Sequence, residues 1–269
     1  MSSATTSTLT SVYGPVTSWR YGQSLGIDPI GAISTCSFNC VYCQLGEIER
    51  QTRDRAIYVP TVRILTELAT YTPWKVDIIT LSGSGEPTLA LNLGEILQGV
   101  HQMTGKPTLV LTNGTLLPDP VVRSELKRAD RISVKLDGIT EEQVRRVDRP
   151  VPRFNWQETW ESLQQFRQEY SGILGIQTMI LTPWNPQMKA TYLKMMQNLQ
   201  PDEIQLNTPT RPKPLQRQLD GRGNHSPREA RPYAVQQLKC VTGSVLEEFA
   251  REIEAETGVP VRYRVIDQH

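Results

Sequence analysis

Cys36, Cys40 and Cys43 fall within eight residues, in the segment Cys36-Ser-Phe-Asn-Cys40-Val-Tyr-Cys43. A cubane iron–sulfur cluster has four irons, and a C-x3-C-x2-C loop offers thiolates to three of them. The fourth iron stays open to a small molecule that chelates it and receives an electron, with a potential tuned by charge, hydrogen bonds and exposure. A structural zinc site would close with four protein ligands, and no local Cys or His follows Cys43 to complete one. The remaining cysteine, Cys240, lies far downstream. Free cysteine is among the most buried residue types, so Cys240 reads as a small core residue. The alternative is a fourth cluster ligand, which would make the chain an electron carrier or sensor.

This spacing resembles that of the radical S-adenosylmethionine (SAM) superfamily. The resemblance implies a 4Fe–4S cluster on Cys36, Cys40 and Cys43, SAM bound at the open iron, and reductive cleavage to a 5'-deoxyadenosyl radical that takes hydrogen from a substrate. Tyr42 stands before the last cysteine, where the superfamily keeps an aromatic residue near the adenine. Ser82-Gly-Ser-Gly-Glu-Pro-Thr-Leu89 is similar to its Gly-Gly-Glu-Pro element, with a serine at one usual glycine position. Gly83, Ser84, Gly85 and Glu86 are thereby implied beside the SAM ammonium. Further segments, Tyr13-Gly-Pro-Val16, Ser24-Leu-Gly-Ile-Asp-Pro29, Leu111-Thr-Asn-Gly114 and Ile204-Gln-Leu-Asn-Thr-Pro209, resemble small iron–sulfur oxidoreductases related to the wyosine-synthesising tRNA enzymes. That similarity covers residues 12–215. The wyosine branch carries a second cluster on additional upstream cysteines, and this chain has none before Cys36. The tRNA-modifying reading is therefore an alternative that is not favoured.

Length and charge fit an intracellular enzyme. A chain of 269 residues can hold one large core. No stretch approaches the ~20 apolar residues of a membrane helix, and the polar start lacks the pattern of a secretory signal. Clustered thiols without an even disulfide framework point to a reducing compartment, the cytoplasm. With 29 basic and 28 acidic residues, the global field carries no nucleic-acid footprint. Arg50, Arg53 and Arg55, and the group Arg145, Arg146, Arg149 and Arg153, have two readings: contact with phosphate and, favoured, solvated charged faces.

Short β-branched runs alternate with amphipathic patterns, as parallel βα units do. Strands are expected at 30–34, 76–81, 108–112, 131–136, 175–181 and 202–206. Helices are expected at 62–71, 93–103, 120–127, 155–170 and 186–199. The fold class is α/β, a partial (β/α)6 TIM-like barrel over 12–215, preceded by a flexible terminus at 1–11. A C-terminal extension over 216–269 is expected to hold a helix at 235–256 and a closing strand at 258–266.

Ligand groups in such folds gather just past the strands. After the third strand Asn113 can bond ligand or substrate. Ser133, Lys135 and Asp137 alternate onto one face of the fourth. Gln177 and Met179 follow on the fifth, and Gln205 and Asn207 on the sixth. No histidine offers an obvious base, so the catalytic residues stay unassigned and the chemistry leans on the cofactor. The expected partners are an unidentified polar substrate and a one-electron reductase such as flavodoxin or ferredoxin.

Overall fold

The computed structural model describes residues 10–218, 222 and 233–264. One eight-stranded sheet dominates it. In chain order its strands are β1 (Val12–Ser18), β2 (Gly22–Ile27), β5 (Ile78–Leu81), β6 (Thr108–Thr112), β7 (Arg131–Lys135), β8 (Ile173–Met179), β9 (Glu203–Asn207) and β12 (Val261–Tyr263), and the same order holds across the sheet. Short pairs form beside it: β3 (Thr35–Cys36) with β4 (Arg50–Gln51), and β10 (Lys213–Pro214) with β11 (Val235–Gln236). All neighbours from β2 to β12 are parallel, and only β1 runs antiparallel to β2. The sheet curls until its edges approach one another, Arg262 Nη1 of β12 donating to the Arg20 carbonyl of the β1–β2 turn at 3.0 Å; among the described residues β1 and β12 form no ladder, which leaves a partial barrel with a lateral opening.

The helices lie on the outside. They are α1 (Thr61–Ala69), α2 (Leu93–Thr104), α3 (Pro120–Leu126), α4 (Glu141–Val147), α5 (Trp156–Glu169), α6 (Pro186–Leu199) and α7 (Gly243–Thr257). Strand side chains alternate between faces, and the sequence uses that period to separate core from cavity. Ile79, Val110, Ile132, Val134, Leu174, Ile176, Ile204 and Leu206 form the core with Ile64 and Leu68 of α1, Ile96 and Leu97 of α2, and Phe166 of α5. The opposite face is polar: Lys135, Gln177, Gln205 and Arg262 stand in register across β7, β8, β9 and β12.

The first strand lies earlier than expected. Residues 30–34 form no strand, and β2 takes that place. Its glycines and Ser24 conceal it from β propensity, but each has a local reason. Gly26 sits under the Tyr13 ring, where a Cβ would overlap the aromatic carbons, and Ser24 Oγ shares a 2.7 Å hydrogen bond with Thr80 Oγ1. Residues 30–34 turn instead because Asp28 Oδ1 accepts from the backbone N–H of Ile30 and Gly31, both at 3.0 Å.

The tail is also corrected. The helix expected over 235–256 begins only at Gly243; Val235–Gln236 pairs with β10, and Cys240 is exposed rather than in the core. The closing strand Val261–Tyr263 extends the sheet beside β9, while positions 265 and 266 of that reading lie outside the described residues, as do 1–9 of the expected flexible terminus. The helix α4 was not expected from the sequence. Thr140 Oγ1, the N-cap, accepts from Gln143 N–H, and Gln143 Oε1 accepts from Ile139 N–H one residue before the cap; this is a shifted form of the capping box, with its signal in Thr-Glu-Glu-Gln.

Candidate functional site

The cysteine loop leaves the C-terminal end of β2 and is fastened on two sides. On one, Asn39 N–H and Val41 N–H donate to the carbonyls of Asp148 and Val147, both at 2.9 Å, and Val151 N–H donates to Ser37 O at 3.0 Å. Phe38 packs edge-on to Phe154 at 5.7 Å, in a small apolar cluster with Cys40, Tyr42, Val144 and Val151. On the other side the loop after β5 pairs with it. Thr35 N–H donates to Ser84 O at 3.0 Å, and Glu86 N–H returns to Thr35 O at 3.1 Å. Gly85 lies so close that a Cβ would overlap the Thr35 carbonyl.

All three thiols are free and line one interior cavity of about 470 Å³. Burial raises the pKa of each. For Cys36 the Glu86 charge adds to this, whereas Lys135 opposes it at all three. Phe38 N–H points at Cys36 Sγ at 3.4 Å and Asn113 Nδ2 at 3.5 Å, donors that suit a sulfur carrying charge. Among the described residues no three His, Cys, Asp or Glu side chains meet closely enough for a single metal ion. A cubane asks for something else, three separate thiolates around one face, and this loop fits that demand.

Of the residues singled out in the sequence, Tyr42, Gly83, Gly85, Glu86, Asn113, Ser133, Lys135, Gln177, Met179 and Asn207 line the same cavity. Three do not. Ser84 is fully buried, and its backbone serves Thr35. Gln205 is turned to Tyr21 Oη at 2.7 Å and Glu203 at 2.7 Å. Asp137 lies past the end of β7, so the alternation that aligns Ser133 with Lys135 no longer applies. It accepts from Tyr42 Oη, from Lys135 Nζ at 3.3 Å and from Met179 N–H at 2.8 Å, and faces a neighbouring groove.

The inward residues differ in how committed they are. Glu86 is saturated: it accepts from Thr88 N–H and Oγ1, from Thr112 Oγ1 at 2.6 Å and from Asn113 N–H at 2.7 Å. Burial raises its pKa against those hydrogen bonds. Asn113 ties β6 to the cysteine loop through Ser37 Oγ at 2.9 Å. Lys135 sits 4.5 Å above the Tyr42 ring; burial opposes its charge, but Asp137, Cys40 and Asp148 outweigh burial and raise its pKa. Ser133 Oγ is buried with no hydrogen-bond partner among the described residues.

Sequence reasoning missed Asp148, which accepts from Cys40 Sγ at 3.3 Å, and gave no role to Asp28, which pairs with Arg222 at 2.8 Å under the Gly83 turn. Asp28-Pro-Ile-Gly31 was a readable Asx-turn signal. Asp148 had none, because its position depends on α4.

A model of the Radical SAM superfamily matches residues 32–195. The chain belongs to the radical SAM superfamily. It is 58% identical over 255 residues to a UPF0026 protein of Synechocystis, covering 95% of this chain and 96% of that one. A UPF0026 protein of Helicobacter pylori strain J99 is 33% identical over 214 residues, 75% of this chain and 67% of that one. In fold it is similar to the crystal structure of Streptococcus suis SuiB bound to precursor peptide SuiA, with a TM-score of 0.64 and 13% identity over 90% of this chain and 48% of that one. It therefore spans about half the length of that structure. The family makes the chain an enzyme of the radical SAM class, with a 4Fe–4S cluster and SAM as cofactors. No described helix is long and apolar enough to cross a membrane.

Proposed function

We propose that this chain cleaves SAM reductively at a cluster held by Cys36, Cys40 and Cys43 and abstracts hydrogen from a substrate in the barrel cavity. The observation that carries the reading is the convergence of three free thiols and the polar inner faces of β7, β8 and β9 on one cavity. When bound, the cluster supplies the electron that divides SAM into methionine and a hydrogen-abstracting 5'-deoxyadenosyl radical. The chain's residues bind and orient. Ser133, with an unmet hydroxyl, and Gln177 suit polar contacts to SAM, while Met179 and Tyr42 supply apolar surface near the cysteine loop. Asn207 holds Thr208 N–H through its side chain at 2.9 Å. A one-electron reductase of the flavodoxin or ferredoxin kind is the expected donor, and a reducing cytoplasm suits the free thiols.

Anaerobically reconstituted protein supplied with SAM and dithionite is expected to release 5'-deoxyadenosine. A protein with a full complement of iron that yields none would sink the proposal. The rival electron-carrier reading needs Cys240 at the cluster, but Cys240 is exposed, outside the cavity lining, and directed to Leu238 O at 3.9 Å.

Glu86→Ala separates two roles for the loop after β5. It removes a carboxylate that satisfies four buried donors, at an expected cost of about 2–3 kcal/mol in stability. Iron is retained, and SAM binds more weakly as the loop and Asn113 shift. Unchanged SAM affinity in the folded variant would leave the carboxylate with a structural role alone.

A further inference from the structure

The segment after β9 returns to the cysteine loop and follows the residues just past Cys43. Gln44 Nε2 donates to the Arg211 carbonyl at 3.5 Å, Lys213 Nζ pairs with Glu47, Gln218 N–H donates to Leu45 O at 2.9 Å, and Arg217 Nε lies 2.6 Å from Glu49 Oε2. Gly46 has φ +86° and lies so close that a Cβ would overlap the Gln216 carbonyl. The segment is itself held by the pairing of β10 with β11 and by Leu215 N–H, which donates to Ala234 O at 3.0 Å. Residues 211–218 thus form a strap, a third attachment of the cysteine loop beside those to residues 147–151 and to the loop after β5.

For tethering alone, the backbone bond and the Arg217–Glu49 pair would serve. Lys213 is different. It is 3% exposed, and lysine is almost never buried to that degree unpaired, because its ammonium gives up its hydration. Glu47 answers that charge incompletely: its side chain is 51% exposed, and it also accepts from Asn39 Nδ2 at 2.6 Å. The hydrogen bonds from Lys213 and then Asn39 hold the Glu47 carboxyl below its usual pKa. Lys213 bears on Cys43 as well. Burial raises the pKa of that thiol; the Leu45 N–H, Lys135 and Lys213 oppose the rise, and Glu47 adds to it. Cys43 therefore feels two lysine charges from separate elements, β7 and β10.

We infer that Lys213 is a positioning residue for the reductive step: fixed by Glu47 on the strap, its charge favours the reduced state of a cluster on Cys36, Cys40 and Cys43 and so eases entry of the electron that SAM cleavage consumes. Net charge and exposure set such potentials, and a positive charge in a poorly solvated site stabilises an added electron far more than the same charge in water. The electron is given up by the one-electron reductase and leaves in SAM cleavage; Lys213 makes and breaks no bond. The inference rests on the proposed cluster chemistry.

The test is a redox titration of anaerobically reconstituted protein without SAM, followed by the electron paramagnetic resonance signal of the reduced cluster. Lys213→Gln is expected to be harder to reduce, with a reduction equilibrium about tenfold less favourable, which for one electron is about 59 mV. Lys213→Arg, which keeps the charge, is expected to stay close to the unchanged chain. Glu47→Gln is expected to move the other way, and by less, because Glu47 is half exposed and screened. The opposite signs discriminate: both substitutions break the same ion pair, so a tether alone would move both potentials in one direction. Potentials that fail to move in opposite directions would overturn the inference. Where Lys213→Gln holds no iron, Glu47→Gln decides: a raised potential upholds the inference, and an unchanged or lowered one overturns it. Unchanged protein that takes up no iron sinks the cluster assignment and the inference together, whereas full iron with the wrong signs sinks the inference alone.

Discussion

Protein in which Cys36, Cys40 and Cys43 are all alanine is expected to take up almost no iron on anaerobic reconstitution and to make no 5'-deoxyadenosine, whereas Cys240→Ala keeps the iron content of the unchanged chain. The contrast follows from position. The three loop thiols share one cavity, with Phe38 N–H and Asn113 Nδ2 aimed at Cys36 Sγ. Cys240 lies exposed on the segment between β11 and α7. The triple variant is expected to stay folded, since the loop is held by backbone bonds to Val147, Asp148 and Val151 and by Phe38 on Phe154. Iron and acid-labile sulfide assays, with a thermal melt as control, read the result. Loss of the cluster in Cys240→Ala would return the fourth-ligand reading and with it an electron carrier.

The parts of this molecule that were legible in the sequence are those where local pattern and tertiary role agree. In β7, Ile132 and Val134 alternate with Ser133 and Lys135, and the structure divides them between core and cavity. The helices at α1, α2, α3, α5 and α6 follow their apolar spacing to within two residues at either end. The first strand was hidden because its glycines and serine answer to neighbours remote in sequence, Tyr13 over Gly26 and Thr80 against Ser24. Motif residues were found more readily than their tasks. Glu86 looks in sequence like a ligand for an ammonium group, yet its oxygens are engaged by Thr88, Thr112 and Asn113. Asp137 falls on the Ser133 face only if β7 continues two residues further than it does. Burial and partners decide such roles, and neither is written in spacing.

Gly85→Ala is expected to be among the most damaging single changes in the chain. Gly85 has no left-handed backbone requirement; glycine is demanded there by space. A Cβ would overlap the carbonyl oxygen of Thr35, a backbone atom that cannot rotate aside, and Thr35 directly precedes Cys36. Relief requires the loop after β5 to part from the cysteine loop, breaking the Thr35–Ser84 and Glu86–Thr35 hydrogen bonds and carrying Glu86 away from Asn113. The cost is about 2–4 kcal/mol, and it falls on the segment that places the thiols. Gly105→Ala is the informative control. Gly105 ends α2 with φ +60° and has open space where a Cβ would go, so alanine there meets only backbone strain of about 1–2 kcal/mol. A thermal melt and iron content after reconstitution distinguish the two. Gly85→Ala is expected to lose most of its iron and melt well below the unchanged chain, while Gly105→Ala loads iron fully and melts only slightly earlier. A Gly85→Ala protein that takes up full iron would show that the contact between these loops does not position the cysteines.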